Sequence, residues 1–331
     1  MRLVVLMRDS SSLKCKEDMP SLKKIAPRAL RRSLKQLKVR LDVRREFASD
    51  RRRYLASMLP DDKSVGATLS GMNLEAQITK DYHRIEKGLA LQSPRRPFGV
   101  EVQRRLERLI PLADQTAPFV QHARSALAAL QDWNTGGGVA DEISPVRDTS
   151  LAPPLPDPAS FFATRHSVRD FSSRVVEPAV LERAVELALY SPSVCNRQSW
   201  RIHIRHGEQA HEVLGFQNGS AGFRDIVPSV AVITVDARAF AGAKERNQGW
   251  IDGGIFAMSF VWALHALGLD SCMLNMSVPT AKADALRRHL GADQSELIIM
   301  MVAIGYGSEG HRRARSPRRD VSAVIEERRA G

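Results

Sequence analysis

The sequence predicts an α+β fold: a β-sheet covered by helices, preceded by a mostly helical N-terminal extension. Three observations predict it. Segments with strand character, "WRIHIRH" (200–206), "SVAVITVD" (229–236), "SCMLNM" (271–276) and "ELIIMMVAIG" (296–305), interleave with helical segments but lack a strict βαβ rhythm. The stretch 133–160 is rich in Gly, Pro, Asp and Ser, has no periodicity, and reads as a linker. Of the 331 residues 43% are apolar, enough to build a substantial core in two average domains or in one domain with a long extension.

Taken in order, residues 1–60 form a basic, partly helical tail. They carry 17 Lys and Arg against 6 Asp and Glu, nearly the whole net charge of +12. Within 20–46, Leu30, Leu34, Leu37 and Leu41 recur at i, i+4, i+7 and i+11, one stripe of a helix set among basic residues. Such a helix suits weak contact with a membrane surface or a partner; the alternative is a stripe packed on the body with its charges solvated. Residues 61–132 form a helical extension. Ile78, Tyr82, Ile85 and Leu89 are helix-spaced, and a further helix fits 101–132. The compact "DYHRIEKG" reads as salt-bridged helix surface or a cap over a neighbouring site, in preference to a catalytic His83–Glu86 pair.

After the linker, 161–331 forms the sheet domain. Pro178 opens a helix carrying Leu181, Ala184, Val185 and Ala188. In 200–206, Trp200, Ile202 and Ile204 share one face and His203 takes the other. A short helix follows at 208–214. An almost wholly apolar helix covers 250–268, where Gly253 and Gly254 permit close backbone approach, and the helix of "TAKADALRRHLG" has Thr280 as its N-cap and Gly291 just past its end.

Several function classes fall away. The basic charge belongs to the chain ends and the body is nearly neutral, which argues against a nucleic-acid-binding body. Three cysteines without metal-ligand spacing exclude a disulfide framework or a Cys/His metal site and suit a reducing, cytoplasmic setting. No stretch approaches the roughly 20 apolar residues of a membrane span. "GYGSEG" (305–310) matches G-x-G-x-x-G after a strand, but opens no helix and leaves no room for a second βαβ half, so it is no dinucleotide fingerprint. Cys195, in "LALYSPSVCNRQSW", lacks any Cys–His signature.

What remains are polar residues at the ends of elements. In "TRHSVRDF", Arg165, Ser167 and Arg169 alternate, which directs two guanidiniums and a hydroxyl to one side of an extended segment and suits a phosphate. Ser193, Asn196 and Gln198 offer neutral donors and acceptors, and "RARSPRRD" adds bases near the C-terminus.

In this order, "RHSVRDF", "LALYSPSVCNRQSW", "ALHALGLDSCML", "VAIGYGS" and "SPRRDVSAVI" resemble the FMN-dependent nitroreductase family over about 160–325. The resemblance implies a central mixed β-sheet flanked by helices, an intertwined homodimer with two FMN sites at the subunit interface, and hydride transfer from NAD(P)H through the flavin to a small organic acceptor, a nitroaromatic, quinone or related molecule. It implies that Arg165, His166, Ser167 and Arg169 bind the flavin phosphate and ribityl chain. Pro192, Ser193, Asn196 and Gln198 would line the flavin of the partner subunit, and Met273, Leu274 and Asn275 its reactive edge. Arg224 would be a further basic contact, and Arg318, with Arg315 second, would complete the phosphate site. No side-chain acid or base is required. The chain departs from the family pattern at Ser199, where proline is common, and at Val194, where serine is common. "KDYHRIEKGLAL" and "PRRPFG" resemble an extension of nitroreductase-like proteins associated with surface-polysaccharide genes. Such an extension also admits an FMN-binding sensor or scaffold without turnover, its extension capping the pocket.

Overall fold

The computed structural model describes residues 28–59, 69, 71–146 and 155–327. Contacts divide the chain into two units at Ser49/Asp50. In the first unit lies most of helix α1 (Arg28–Ser57), whose Leu30, Leu34, Leu37 and Leu41 are exposed. The part of the 20–46 segment before Arg28 lies outside the described residues.

The second unit holds all other elements. Helices α2 (Met72–Leu89), α3 (Val100–Leu109) and α4 (Pro118–Asn134) share a core of Ile78, Tyr82, Ile85, Leu106, Val120, Ala126 and Leu130. The single helix expected at 101–132 is therefore two. Pro111 sits in a 3-10 turn (Ile110–Leu112) after α3, and Pro118 occupies the first turn of α4. A proline cannot continue a helix interior, because it lacks the N–H and its ring meets the preceding turn, yet it starts one well. His83 Nδ1 and Glu86 Oε2 lie 2.7 Å apart on α2, paired along the helix as expected, but both are half-buried. Asp81 is buried against Arg105, which reaches both of its carboxylate oxygens at 2.6 Å.

Beyond α5 (Pro158–Thr164) and α6 (Pro178–Ala188), the sheet consists of β1 (Trp200–His206), β2 (Ser229–Asp236), β3 (Asp270–Asn275) and β4 (Glu296–Gly305), in the order β1-β2-β4-β3. Every ladder among the described strands is antiparallel, so the expected mixed sheet is corrected. The reason is β4: it fills the slot between β2 and β3 and runs opposite to both. Parallel pairing survives only as single bridges, Ser167 with Ser271 and Leu59 with Ala241.

Helices α6 and α8 (Gln248–Ala266) cover one face, where Trp200 stacks on Phe256 at 4.6 Å. Helices α7 (Gly207–Leu214) and α9 (Thr280–Leu290) cover the other. A bulge in β4, where Ile233 faces Met300 and Thr234 faces Ile298, leaves Ile299 as the extra residue. Ile299 then meets α8: a Cβ on Gly253 would lie 2.5 Å from Ile299 Cγ1, so glycine is required there. Gly254 has open space beside it, so of the expected pair Gly253 alone makes a close approach. Thr280 is the first residue of α9 and Pro279 holds the cap position; Gly291 ends the helix at φ +69° as expected.

Candidate functional site

The chain leaves α5 with Arg165 extended, and in segment 165–169 Ser167 bridges Ser271 of β3. Val168 is fully buried and its N–H donates to Ser271 O at 3.0 Å, which fixes the segment along β3. Beyond β4 the chain returns to it. Ser172 N–H donates to Tyr306 O at 2.8 Å, Ser308 Oγ to Asp170 Oδ1 at 2.8 Å, and Gly307 N–H to Asp270 Oδ2 at 2.8 Å. The glycines of "GYGSEG" serve this crossing. A Cβ on Gly305 would lie 2.7 Å from Pro228 and 2.8 Å from Phe171, and one on Gly307 would lie 2.6 Å from His311.

The crossing encloses a cavity of about 210 Å³ lined by Arg165, His166, Ser167 and Arg169 from one segment and by Arg313, Arg315, Ser316 and Arg318 from the other. Five guanidiniums therefore face one cavity, and among the described residues lining it there is no carboxylate. The geometry brings Arg165, His166, Ser167, Arg169 and Arg318 together across some 150 residues of sequence, with Arg315 beside them. Strict alternation does not hold, because His166 lines the cavity as well. Burial, then the charge of Arg313, hold His166 below the ordinary imidazole value, with Nδ1 3.5 Å from Arg313 Nη1. Arg165 also lies over Trp262, 5.8 Å from the ring centroid. Sequence reasoning missed Arg313. The density of arginines in "HRRARSPRRD" was visible, but not which of them turn inward.

The turn 191–198 is a separate feature. Cys195, Asn196 and Gln198 have φ of +50°, +53° and +45°, a left-handed region that costs a side-chain-bearing residue on the order of 1–2 kcal/mol. Tertiary contacts hold it there. Val194 N–H donates to Asp252 Oδ2 at 3.1 Å, and Gln198 N–H to Ser193 Oγ at 3.0 Å. Arg197 is buried; it meets Glu245 in two contacts of 2.9 Å and donates to Ala239 O. Burial raises the Asp252 carboxyl above its usual range, only partly offset by Gln248 and Val194. Helix α2 packs against this turn and against Ala237–Ala239. Pro192 and Gln198 are exposed, Ser193 and Asn196 half-buried, and none of the four lines the arginine cavity. Among the described residues no histidine is hydrogen-bonded to Cys195, and His203, on the opposite face of β1, lies 2.8 Å from Glu296 Oε2.

On β3, Leu274 is buried in the core, Met273 is half-buried and Asn275 is exposed. Asn275 O accepts from Gln217 Nε2 at 3.1 Å. Arg224 stands in a 3-10 turn beside Asp225, away from the cavity.

The model of the nitroreductase family matches residues 162–215 and 206–306. An Archaeoglobus fulgidus protein named "Putative NADH dehydrogenase/NAD(P)H nitroreductase" is 24% identical over 144 residues, which cover 43% of this chain and 81% of that protein. Among solved structures, a nitroreductase family protein from Streptococcus pneumoniae aligns at 19% identity and TM-score 0.43, over 51% of this chain and 98% of its own. An FMN-dependent nitroreductase from Clostridium difficile aligns at 24% identity and TM-score 0.41, over 47% and 91%. The family model places a nitroreductase-family domain in the C-terminal half of this chain, over residues 162–306, and the residues before 162 and after 306 lie outside the match.

Proposed function

We propose that this domain binds FMN and works as an NAD(P)H-dependent oxidoreductase on a small organic acceptor. One observation carries the reading: five guanidiniums and Ser167 converge on one cavity with no carboxylate among the described residues lining it, Arg165, Ser167 and Arg169 from the nitroreductase-family match and Arg313, Arg315 and Arg318 from the segment just beyond it. A dianionic phosphate ester is the group such a donor set fits, because planar guanidiniums bind its oxygens in pairs and their mutual repulsion is relieved by its charge. Arg165, His166, Ser167, Arg169 and Arg318 would hold the phosphate end, with Arg313 and Arg315. Met273, the backbone of Leu274, Asn275 and Arg224 would contact the remainder. When bound, FMN supplies the hydride chemistry, taking a hydride from NAD(P)H and passing it to the acceptor. The chain's own part is to bind, orient and shield; no side-chain acid or base is assigned.

A homodimer belongs to this reading. The outer side of α8 exposes Trp250, Ile251 and Ile255, an apolar face that suits a second copy. Pro192, Ser193, Asn196 and Gln198 lie apart from the arginine cavity of their own chain, which suits residues that complete the site of a second copy.

A second reading keeps the cofactor and drops turnover: an FMN-binding sensor or scaffold. It is favoured by the packing of α2 against the 194–196 turn, which would put the extension beside residues proposed to line the flavin. The purified protein should show the visible absorption of bound flavin, or acquire it when FMN is added. Anaerobic NADH or NADPH should then bleach it. A colourless protein that takes up no FMN overturns both readings; FMN binding without bleaching selects the second.

A further inference from the structure

Helix α1 carries a surface that flavin chemistry does not use. In residues 28–49 of the first unit there are eight Lys and Arg against two acids, Asp42 and Glu46. Leu30, Leu34, Leu37 and Leu41 form a line along the helix, each 51–54% exposed. At about 100° per residue, Lys38 and Arg45 fall on one flank of that line and Arg40 and Arg44 on the other. All four are exposed. Asp42 falls just beyond Lys38, about 110° from the leucine line, and Glu46 falls on the far side. The half of the helix centred on the leucines therefore has apolar residues in the middle, cations on both edges and no carboxylate.

We infer that this face lies on an anionic phospholipid surface. The leucines would enter the boundary between headgroups and acyl chains, while the flanking Lys and Arg, whose long stems reach outward, would meet lipid phosphates. Charge decides against the other occupants. A second copy of α1 packed stripe to stripe would bring Lys38, Arg40, Arg44 and Arg45 against their equivalents, where coiled coils place opposite charges. A nucleic acid would take up the cations but leave the leucines in water, since phosphate neutralisation gives them no apolar partner. An anionic bilayer satisfies both halves of the pattern. The chain is tethered at the surface rather than inserted, because among the described residues no helix is long and apolar enough to cross a membrane.

The test is flotation of the full-length protein with phosphatidylcholine vesicles, with and without phosphatidylglycerol. The protein should float with the anionic vesicles, remain behind with neutral ones, and detach as salt is raised. K38A/R45A should lower partitioning about thirtyfold, each basic residue near an anionic surface being worth about fivefold. L34E/L37E should lower it at least tenfold, with circular dichroism and melting temperature unchanged because both positions are exposed. Failure to float with either vesicle, equal flotation with both, or parental binding by L34E/L37E overturns the inference. So does a fall in oligomeric state of L34E/L37E in vesicle-free solution, which would give the stripe to a second copy. Retention of a duplex oligonucleotide without vesicle binding would give the cations to nucleic acid. None of these outcomes touches the flavin reading, which flavin uptake tests separately.

Discussion

At the residue scale, the arginine cavity makes the sharpest demand. Arg165→Ala removes one guanidinium from a shared anion and should raise the dissociation constant for FMN on the order of tenfold to hundredfold, as expected for losing a hydrogen bond to a charged group. Ultrafiltration with measurement of free flavin checks this, and unchanged retention would count against the site. Cys195 is a contrasting case. It sits at φ +50° in a turn held by its neighbours, with no histidine bonded to it among the described residues. Cys195→Ser should therefore leave both FMN content and NADH-dependent bleaching near those of the parent; loss of bleaching with flavin retained would restore a role for the thiol. Glu296 shows how a buried carboxylate is kept charged. Burial alone would raise it, but hydrogen bonds from His203, Thr234 and the Asp293 N–H outweigh that and hold it below its ordinary value of 4.5. A depressed carboxylate adds stability above its unfolded pKa and loses it as pH falls through the folded one. Unfolding by urea should thus become easier as the pH drops below about 4.5, and Glu296→Gln should flatten that dependence while costing about 1–3 kcal/mol at neutral pH.

At the scale of elements, the bulge in β4 and the glycines of α8 form one device. The extra residue Ile299 projects toward α8, and Gly253 gives it room. Gly253→Ala would place a methyl group 2.5 Å from Ile299 Cγ1 and 2.9 Å from Val235, so it should destabilise by about 1–3 kcal/mol through overpacking. Gly254→Ala meets nothing within 4 Å and should stabilise by up to about 1 kcal/mol through helix propensity. Opposite shifts in melting temperature for adjacent residues would establish the packing; equal shifts would refute it. The turn after α6 follows the same principle. Its left-handed residues persist because Asp252 of α8 holds Val194 from one side and Arg197, tied to Glu245, anchors it from the other. A strained turn kept by long-range contacts is the arrangement expected where side chains must be displayed rather than packed.

At the scale of the whole molecule, the proposed homodimer links cofactor binding to assembly. Ile251→Glu/Ile255→Glu places charge on the exposed side of α8 and should yield a smaller species on size exclusion with a proportionate loss of FMN. A monomer that keeps its flavin would show that one chain suffices. The sequence by itself determined the elements whose signal is local: the alternation of β1, the buried runs of β2 and β4, the proline start of α6 and the glycine end of α9. It also determined that 165–169 carries two guanidiniums, an imidazole and a hydroxyl within five residues, because residue type and spacing are written along the chain. The tertiary structure decided what depends on contacts between distant segments. It split the 101–132 helix at Pro111 and Pro118, made the sheet antiparallel throughout its described strands, and placed α2 against the 194–196 turn. It also chose Arg313, Arg315 and Arg318 from a run of arginines to meet Arg165 and Arg169. Periodicity is set by neighbouring residues and can be read directly, whereas a cavity exists only once β4 carries the chain back across β3, and no local pattern records that return.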